Sequence, residues 1–294
     1  MGKLFNAQNL VDNKYLVFTG LFFFVCIVVA FLSINKELST PAPTGEELAV
    51  AKLMKPGLYK MKGMEYPLPY RIYVPEDYAP EKKYPLILYL HPSGSYGDDN
   101  IRQLSGDMAN MIGPVQEIEP VFVVAPQCPK GNKWVHDFDT PPYVNYSQVE
   151  KAASDALILA RRLVMELPYI YSIDVNRVYV TGASAGGLGT WDIISRDDVN
   201  PFAAAVPVTG ANDPSKAVKI ARMPIWAFHG EMDTTPVTNT RIMVDKLRTL
   251  GSPVRYTEYK GIGHYSWGMA YSDMDVFRWM LSQRRSDWYQ FNQQ

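Results

Sequence analysis

The chain contains 294 residues, 47% hydrophobic and 20% charged, which is enough for one large α/β domain, or two small ones, with a substantial core. A net charge of −1 gives no basic field, so we expect no nucleic-acid partner. The two cysteines, Cys26 and Cys128, offer neither a disulfide framework nor a zinc-binding spacing, so we expect no metal.

The first element in chain order is an uncharged apolar run, Tyr15–Ile34. A run of this length is enough to cross a bilayer as a helix. Because no small-x-small cleavage site follows it closely, it favours an uncleaved anchor, with a cleaved signal peptide and a secreted protein as the alternative. Lys3 and Lys14 precede it, which favours a cytoplasmic stub at residues 1–14 and a remainder in the periplasm or outside the cell.

A polar stretch with two prolines, residues 35–50, is predicted to be a linker to a single domain at residues 51–294. Short apolar runs in that domain predict strands at Gly57–Met61, Tyr70–Val74, Tyr84–Leu90, Phe122–Ala125, Arg177–Thr181, Ala203–Val208, Pro224–Phe228 and Val254–Tyr259. Helical spacing predicts one long helix, opened by a capping box at Ser147–Glu150 and ending near Leu167, and others at about 187–196, 237–250 and 273–283. Strands that alternate with helices predict an α/β fold with a mostly parallel, doubly wound sheet and helices on both faces.

The segment Val178–Gly187 carries the strongest chemical signal, because a strand-like run leads directly into Gly182-x-Ser184-x-Gly186 and a helical pattern follows. That order is typical of a nucleophile elbow, in which a tight strand-to-helix turn exposes a serine hydroxyl. Flanking glycines leave room for the turn and for close packing of the helix. A glycine-rich turn with Ser184 as a helix N-cap is the alternative interpretation.

A serine nucleophile needs a base and an acid, which follow it in the order Ser, Asp or Glu, His in sheets of this kind. His91 and His136 precede Ser184, which leaves His229 and His264. His264 lies in a glycine-containing loop after the last strand and is the predicted base. His229 ends a strand directly before the turn that should carry the acid, so we interpret it as a supporting residue.

The acid is predicted to be Asp233, which follows a buried strand and precedes a proline-initiated helix, with Glu231 as its competitor. Its role is to accept the N–H of the imidazole and to fix the tautomer of His264. An oxyanion hole needs two backbone amides. They are predicted to be those of Ala185, directly after the nucleophile, and of Ser93, in the loop after the third strand.

Four aromatic residues are predicted near the mouth of the site: Tyr96, Trp134, Tyr143 and Trp267. Their rings could stack on sugars or on phenolic acyl groups, and ordinary packing at the rim is the alternative.

These motifs resemble those of esterases of the α/β-hydrolase fold, a group that includes feruloyl-esterase-like and polyhydroxybutyrate-depolymerase-like enzymes and relatives described as predicted peptidases. The resemblance extends from about Pro56 to Ser282. It rests on Leu90–Asn100, Val124–Cys128, Gly182–Asp192, Pro224–Gly230 and Gly263–Trp267. It implies a catalytic triad of Ser184, Asp233 and His264, in agreement with the order of these residues along the chain.

The expected function is therefore hydrolysis of a small-molecule or polysaccharide-linked carboxylic ester through an acyl-enzyme. No cofactor is expected, because neither a Rossmann fingerprint nor a P-loop is present. A serine peptidase acting on short peptides is one alternative. A non-catalytic, tethered carbohydrate-binding domain is another, since Pro92 and Ser93 stand where the family usually has Gly-Ala and proline has no N–H. The sequence does not indicate an oligomeric state.

Overall fold

Eight β-strands form one sheet at the centre of the domain. A computed structural model describes residues 42–136, 147–148, 151–196, 199–210 and 213–288. The strands are β1 (Lys55–Tyr59), β2 (Leu68–Tyr73), β3 (Tyr84–Leu90), β4 (Phe122–Pro126), β5 (Ile173–Ala183), β6 (Ala204–Val208), β7 (Trp226–Gly230) and β8 (Arg255–Tyr259). Their order across the sheet is β1-β2-β4-β3-β5-β6-β7-β8. Strand β2 is antiparallel to both β1 and β4, and the other neighbouring pairs are parallel.

The central strand β3 separates two hydrophobic cores. All seven of its residues are buried. Leu86, Leu88 and Leu90 belong to one core, whereas Ile87 and Tyr89 belong to the other. Successive side chains of a strand point to opposite faces of the sheet, so each face of the sheet has its own core.

Helices cover both cores in the described part of the chain. They are α1 (Gly45–Leu53), α2 (Gly106–Ile118), α3 (Asp155–Glu166), α4 (Ala185–Ser195), α5 (Ala217–Ile220), α6 (Val237–Thr249), α7 (Trp267–Ser272) and α8 (Met274–Ser282). Helices α3 to α6 contribute to the core that contains Leu86, and helices α1, α2, α7 and α8 to the core that contains Ile87. The predicted mostly parallel sheet with helices on both faces is therefore confirmed.

Residues 45–50, predicted as the end of the linker, instead form most of α1. Thr44 and Glu47 cap this helix reciprocally: the N–H of Glu47 donates to Thr44 Oγ1 at 3.2 Å, and the N–H of Thr44 donates to Glu47 Oε2 at 2.7 Å. Val50 and Met54 are buried in the core that contains Ile87. The domain therefore begins at this capping pair, before residue 51.

The long helix predicted from Ser147 begins later, at Asp155. Ser154 caps it, because its Oγ accepts the N–H at helix position N3 at 3.1 Å. Gln148 is held elsewhere, since its side-chain amide donates to Asp192 Oδ1 at 2.8 Å. Residues 151–154 are not helical, and residues 149–150 of the predicted capping box lie outside the described residues.

Helix α2 was not predicted from the sequence. Pro114 lies inside it, and a proline has no N–H to donate within a helix, so it normally signals an interruption. Met108, Met111 and Val115 are nevertheless fully buried against the sheet. Burial of this apolar face outweighs the missing hydrogen bond.

The predicted membrane span, Tyr15–Ile34, and the stub at residues 1–14 lie outside the described residues. No helix between residues 42 and 288, in the described ranges, is both long and apolar enough to span a bilayer.

Arg71 on β2 connects α1 to the loop that follows β3. Its Nε donates to the carbonyl oxygen of Asn100 at 2.8 Å. Its Nη1 donates to the carbonyl oxygens of Ala51 and Met54, each at 3.1 Å. These two carbonyls lie at the end of α1, where backbone oxygens lack partners within the helix. The Arg71 guanidinium therefore provides donors for carbonyls at the end of α1 and also supports the loop that follows β3.

Helix α4 lies directly against the ends of β3 and β6 because its first turn carries no side chains at the contact. A Cβ on Gly186 would lie 1.8 Å from the carbonyl oxygen of Leu90. A Cβ on Gly187 would lie 2.3 Å from the carbonyl oxygen of Val208. Only glycine permits this approach, so these two residues fix the position of the helix.

We expect Gly186→Ala to lower the free energy of unfolding by about 3 kcal/mol or more, because backbone and not a flexible side chain occupies the space of the new methyl group. Urea denaturation of the two proteins measures the difference. Gly268→Ala is the control, since this helical glycine has no atom within 4 Å of an added Cβ. Equal losses in both variants would contradict the packing argument.

Candidate active site

Ser184 occupies the tight turn between β5 and α4. Its backbone has φ 54° and ψ −116°, a conformation that costs a non-glycine residue about 1–3 kcal/mol. Two hydrogen bonds maintain it: the Ser184 N–H donates to the carbonyl of Val208 at 3.0 Å, and the Leu188 N–H donates to the carbonyl of Ser184 at 2.9 Å. The turn has the backbone geometry of a nucleophile elbow.

Ser184, His264 and Asp233 form a continuous chain of hydrogen bonds. Ser184 Oγ lies 2.9 Å from His264 Nε2, and His264 Nδ1 lies 2.7 Å from Asp233 Oδ1. A carboxylate only accepts hydrogen bonds, so Nδ1 carries a proton and donates it to Asp233. In the neutral ring Nε2 then has a free lone pair, to which the Ser184 hydroxyl donates.

The side chain of Asp233, in the turn after β7, is fully buried, yet its environment keeps it ionised. Its Oδ1 also accepts the N–H of Thr235 at 2.7 Å. Burial alone would raise the pKa of Asp233, but its contacts with the His229 and His264 rings and with the Thr235 N–H outweigh that effect and hold the pKa well below its usual range. Its competitor Glu231 instead accepts the N–H of Gly261 at 2.8 Å.

Buried hydroxyl groups hold the loop that carries His264 in place. Thr209 Oγ1 and Ser266 Oγ lie 2.9 Å apart, and the Ser266 N–H donates to the carbonyl of His264 at 2.9 Å. Thr209 is itself strained, with a φ of 49° that is unusual for a β-branched residue. Trp267, predicted to contact substrate, is only 6% exposed and packs edge-on against His264, with ring centroids 5.2 Å apart. It therefore supports the imidazole.

Ser93 and Ala185 line the same cavity as Ser184. Ala185 is the first residue of α4, so its N–H has no acceptor within the helix. Ser93 begins a short 3₁₀ turn, Ser93–Ser95. Two amides at these places are suited to binding an oxyanion.

His91, fully buried after β3, orients the Ser93 amide. His91 Nε2 accepts the Cys128 N–H at 2.9 Å, which leaves Nδ1 as the protonated nitrogen, and Nδ1 donates to the carbonyl of Pro92 at 2.7 Å. The carbonyl and the N–H of a trans peptide point in opposite directions. The hydrogen bond from His91 therefore turns the Ser93 N–H away from the core and toward the cavity.

Gln127, directly after β4, holds the rest of the loop that follows β3. Its Nε2 donates to Asp99 Oδ1 at 2.9 Å and to the carbonyl of Ser95 at 3.2 Å, while its Oε1 accepts the Asn100 N–H at 2.6 Å. Asn100 has a φ of 54°. Gln127 lies in the motif Val124–Cys128, but the sequence predicted no role for it.

A cavity of about 340 Å³ lies beside the Ser184 hydroxyl. Its walls are mostly polar: they comprise Ser93, Ser184, Ala185, Leu188, Thr209, Thr234, Thr235 and His264. The three threonines were not predicted, because they come from two loops, one with Thr209 and one with the adjacent Thr234 and Thr235, whose meeting depends on the sheet order.

The predicted aromatic contacts need correction. Trp134 is fully buried, and its Nε1 donates to the carbonyl of His91 at 3.0 Å, so it belongs to the core and cannot touch a substrate. Tyr96 is partly buried, with its ring 5.5 Å from that of His91. Tyr143 lies outside the described residues. Tyr265, which was not predicted, is 78% exposed beside His264.

The fold is similar to that of solved esterases. A thermostable esterase is 36% identical to this chain, with a TM-score of 0.73 over 81% of this chain and 64% of that protein. The chain belongs to the α/β-hydrolase fold family that includes this esterase. The family resemblance inferred from the sequence motifs is thus confirmed. This α/β-hydrolase spans about 64% of the length of the thermostable esterase.

More distant structures share the fold. The feruloyl esterase module from Clostridium thermocellum, solved with sinapinate, is 18% identical, with a TM-score of 0.55 over 83% of this chain and 94% of that module. Thermogutta terrifontis esterase 2, solved after phosphorylation by paraoxon, is 16% identical, with a TM-score of 0.56 over 79% of this chain and 91% of that protein. No protein-family model and no curated protein sequence matches the chain.

We expect His91 to make this α/β-hydrolase less stable in acid. Burial lowers the pKa of His91 to about 4, whereas the unfolded chain has the ordinary value of about 6.5. Between these values the unfolded state binds one more proton, so the free energy of unfolding decreases as the pH falls, by about 2.5 kcal/mol from pH 7 to about pH 4.5.

Urea denaturation at both pH values measures this loss. In His91→Gln the same decrease in pH should cost about 2.5 kcal/mol less than in the wild type. An identical pH dependence in the two proteins would show that His91 does not remain neutral in the fold.

Proposed function

We propose that this chain is a serine hydrolase that cleaves carboxylic esters through Ser184, His264 and Asp233. The observation that carries the proposal is the hydrogen-bonded chain from Ser184 Oγ to Asp233 Oδ1 beside an open cavity. The 36% identity to a thermostable esterase supports an ester as the substrate.

Acylation begins as His264 Nε2 takes the proton of Ser184 and Oγ attacks the carbonyl carbon of the ester. The carbonyl π electrons move to oxygen, and the N–H groups of Ser93 and Ala185 stabilise the resulting oxyanion. When the carbonyl re-forms, the bond to the alcohol oxygen breaks. His264 returns its proton to that oxygen, and the acyl group remains on Ser184.

Deacylation repeats these steps with water as the nucleophile. His264 takes a proton from water, whose oxygen attacks the acyl carbon. The bond from that carbon to Ser184 Oγ breaks, and the proton on His264 passes to Oγ. The carboxylic acid leaves and the serine is restored.

Asp233 keeps the base in the productive tautomer throughout. Its Oδ1 accepts the Nδ1 proton of His264, so the lone pair of Nε2 points at Ser184. When His264 becomes an imidazolium, the buried carboxylate stabilises the positive charge.

The cavity supports a substrate with polar groups close to the ester. Apart from Leu188 and Ala185, the residues that line it carry hydroxyls or an imidazole. The exposed ring of Tyr265 beside His264 offers a surface for a sugar or a phenolic group. We therefore propose a small-molecule or polysaccharide-linked ester as the substrate class.

The alternatives differ in what they require of the site. A peptidase acting on short peptides would use the same residues but would have to protonate an amine as the leaving group. A non-catalytic carbohydrate-binding domain would not need hydrogen bonds from Ser184 through His264 to Asp233. Here both of these hydrogen bonds are present, and His91 orients the Ser93 amide. These observations favour catalysis.

We expect a fluorophosphonate probe to label the protein once, at Ser184, and aryl esters to be hydrolysed faster than the matching anilides. An organophosphate modifies a structural relative, which supports the choice of probe. Ser184→Ala should abolish labelling and lower kcat by about 10⁴-fold or more. Intact-mass spectrometry and a panel of acetyl, hydroxybutyryl and feruloyl esters provide the measurements.

Ser272→Ala is the control, because this serine is exposed and bonds only the carbonyl of Met269 among the interactions that the structure describes. Labelling that persists in Ser184→Ala would reject the nucleophile. Faster cleavage of anilides than of esters would favour the peptidase.

We also propose that Tyr15–Ile34 is retained as a membrane anchor, with the catalytic domain in the periplasm or outside the cell. The support is the length of the uncharged run and the absence of a cleavage site directly after it.

Fractionation with mass spectrometry of the N-terminus should then recover the full chain in the membrane fraction. A chain shortened to begin at Thr44 should be soluble and active, since α1 keeps its capping pair. A soluble protein that lacks its first thirty or so residues would replace the anchor with a signal peptide. Recovery from the cytosol would reject both.

A further inference from the structure

His229, in β7, is fully buried next to Asp233 and has no part in the mechanism above. Its Nε2 lies 3.2 Å from Asp233 Oδ2 and 3.1 Å from the carbonyl oxygen of Thr235. Its Nδ1 lies 2.8 Å from Thr240 Oγ1. Asp233 is therefore flanked by two imidazoles, His264 on Oδ1 and His229 on Oδ2.

The partners of His229 determine how many protons its ring carries. Thr240 has one hydroxyl proton, and its Oγ1 lies 2.5 Å from the carbonyl oxygen of Gly210, which can only accept. Thr240 therefore donates to Gly210 and accepts from Nδ1. Neither partner of Nε2 can donate, since one is a carbonyl and the other a carboxylate, so Nε2 also carries a proton. Both ring nitrogens are donors, and the ring is an imidazolium.

Asp233 Oδ2 explains why a charged ring is tolerated in the core. This oxygen is buried and makes no hydrogen bond of its own to the described residues. A buried carboxylate oxygen without a partner is costly, and a cation at 3.2 Å offsets that cost. The cost of burying each charge is thus reduced by the other.

We propose that His229 is a positioning residue of the active site: as a buried imidazolium it fixes the second oxygen of Asp233 and makes His264 a weaker base. This inference rests on the proposed function, because it concerns the base of that reaction. A positive charge on the far side of the carboxylate opposes the uptake of a proton by His264.

Other charged groups face His229 as well. Glu258 is its register partner on β8, and Arg241 on α6 pairs with Glu258. Because Arg241 offsets the charge of Glu258, the unbalanced groups near His229 are Asp233 and His264. Neighbouring residues of β6, Val208 and Thr209, carry no charge.

The test compares the pH dependence of kcat/KM for an aryl ester in three variants. His229→Gln keeps an N–H donor but cannot carry the charge, and Thr240→Val removes the acceptor that stabilises the second ring proton. In both, the acid limb should move to higher pH by about 0.5–1 unit. Thr181→Val is the matched control: its buried hydroxyl donates to the carbonyl of Val206, and its acid limb should not move.

A purely structural role would lower the yield or stability of the folded protein and leave the acid limb in place, which would overturn the inference. NMR of the wild type at neutral pH gives an independent reading. Two N–H protons on the His229 ring support the inference, and a single one rejects it, even where His229→Gln fails to fold. If the wild type hydrolyses no ester, the proposed function fails, while the NMR result still decides the protonation of His229.

Discussion

The fit of α4 against the ends of β3 and β6 is the constraint on which the site depends. Gly186 and Gly187 bring the helix into contact with strand carbonyls, and no side chain intervenes. The chain must then turn within one residue, so Ser184 takes a left-handed φ. This strain is offset by the packing of the helix. The same contact sets the positions of the Ser184 hydroxyl and the Ala185 amide.

Two buried histidines support this site in electrostatically opposite ways. His91 accepts at one nitrogen and donates at the other, so it is neutral and orients a peptide plane. His229 meets only acceptors, so it is charged and faces a carboxylate. The hydrogen-bond partners of each ring, more than its burial, determine its charge, because both rings are inaccessible to solvent. His264 differs from both, because its side chain is 28% exposed, as the proposed exchange of protons with substrate and water requires.

The sequence was informative where local chemistry decides the structure. Buried strands are continuous apolar runs, and the residues at their carboxyl ends meet at one edge of a parallel sheet, so the grouping of Ser184, Asp233 and His264 could be predicted. Contacts between residues far apart in the chain could not be predicted from the sequence. Trp134 is in the core because its indole meets the carbonyl of His91, and α2 forms despite Pro114 because its apolar face is buried.

Arg71 links the start of the domain to a loop near the candidate active site, so the stability of that loop depends on α1. Loss of residues 44–54 would remove both carbonyl acceptors of Nη1. Among the described residues, the partly buried guanidinium would then keep its hydrogen bond to Asn100 alone. A protease cut within α1 would therefore loosen a segment more than forty residues away in sequence. An insertion or deletion within residues 44–54 would disturb the same bonds.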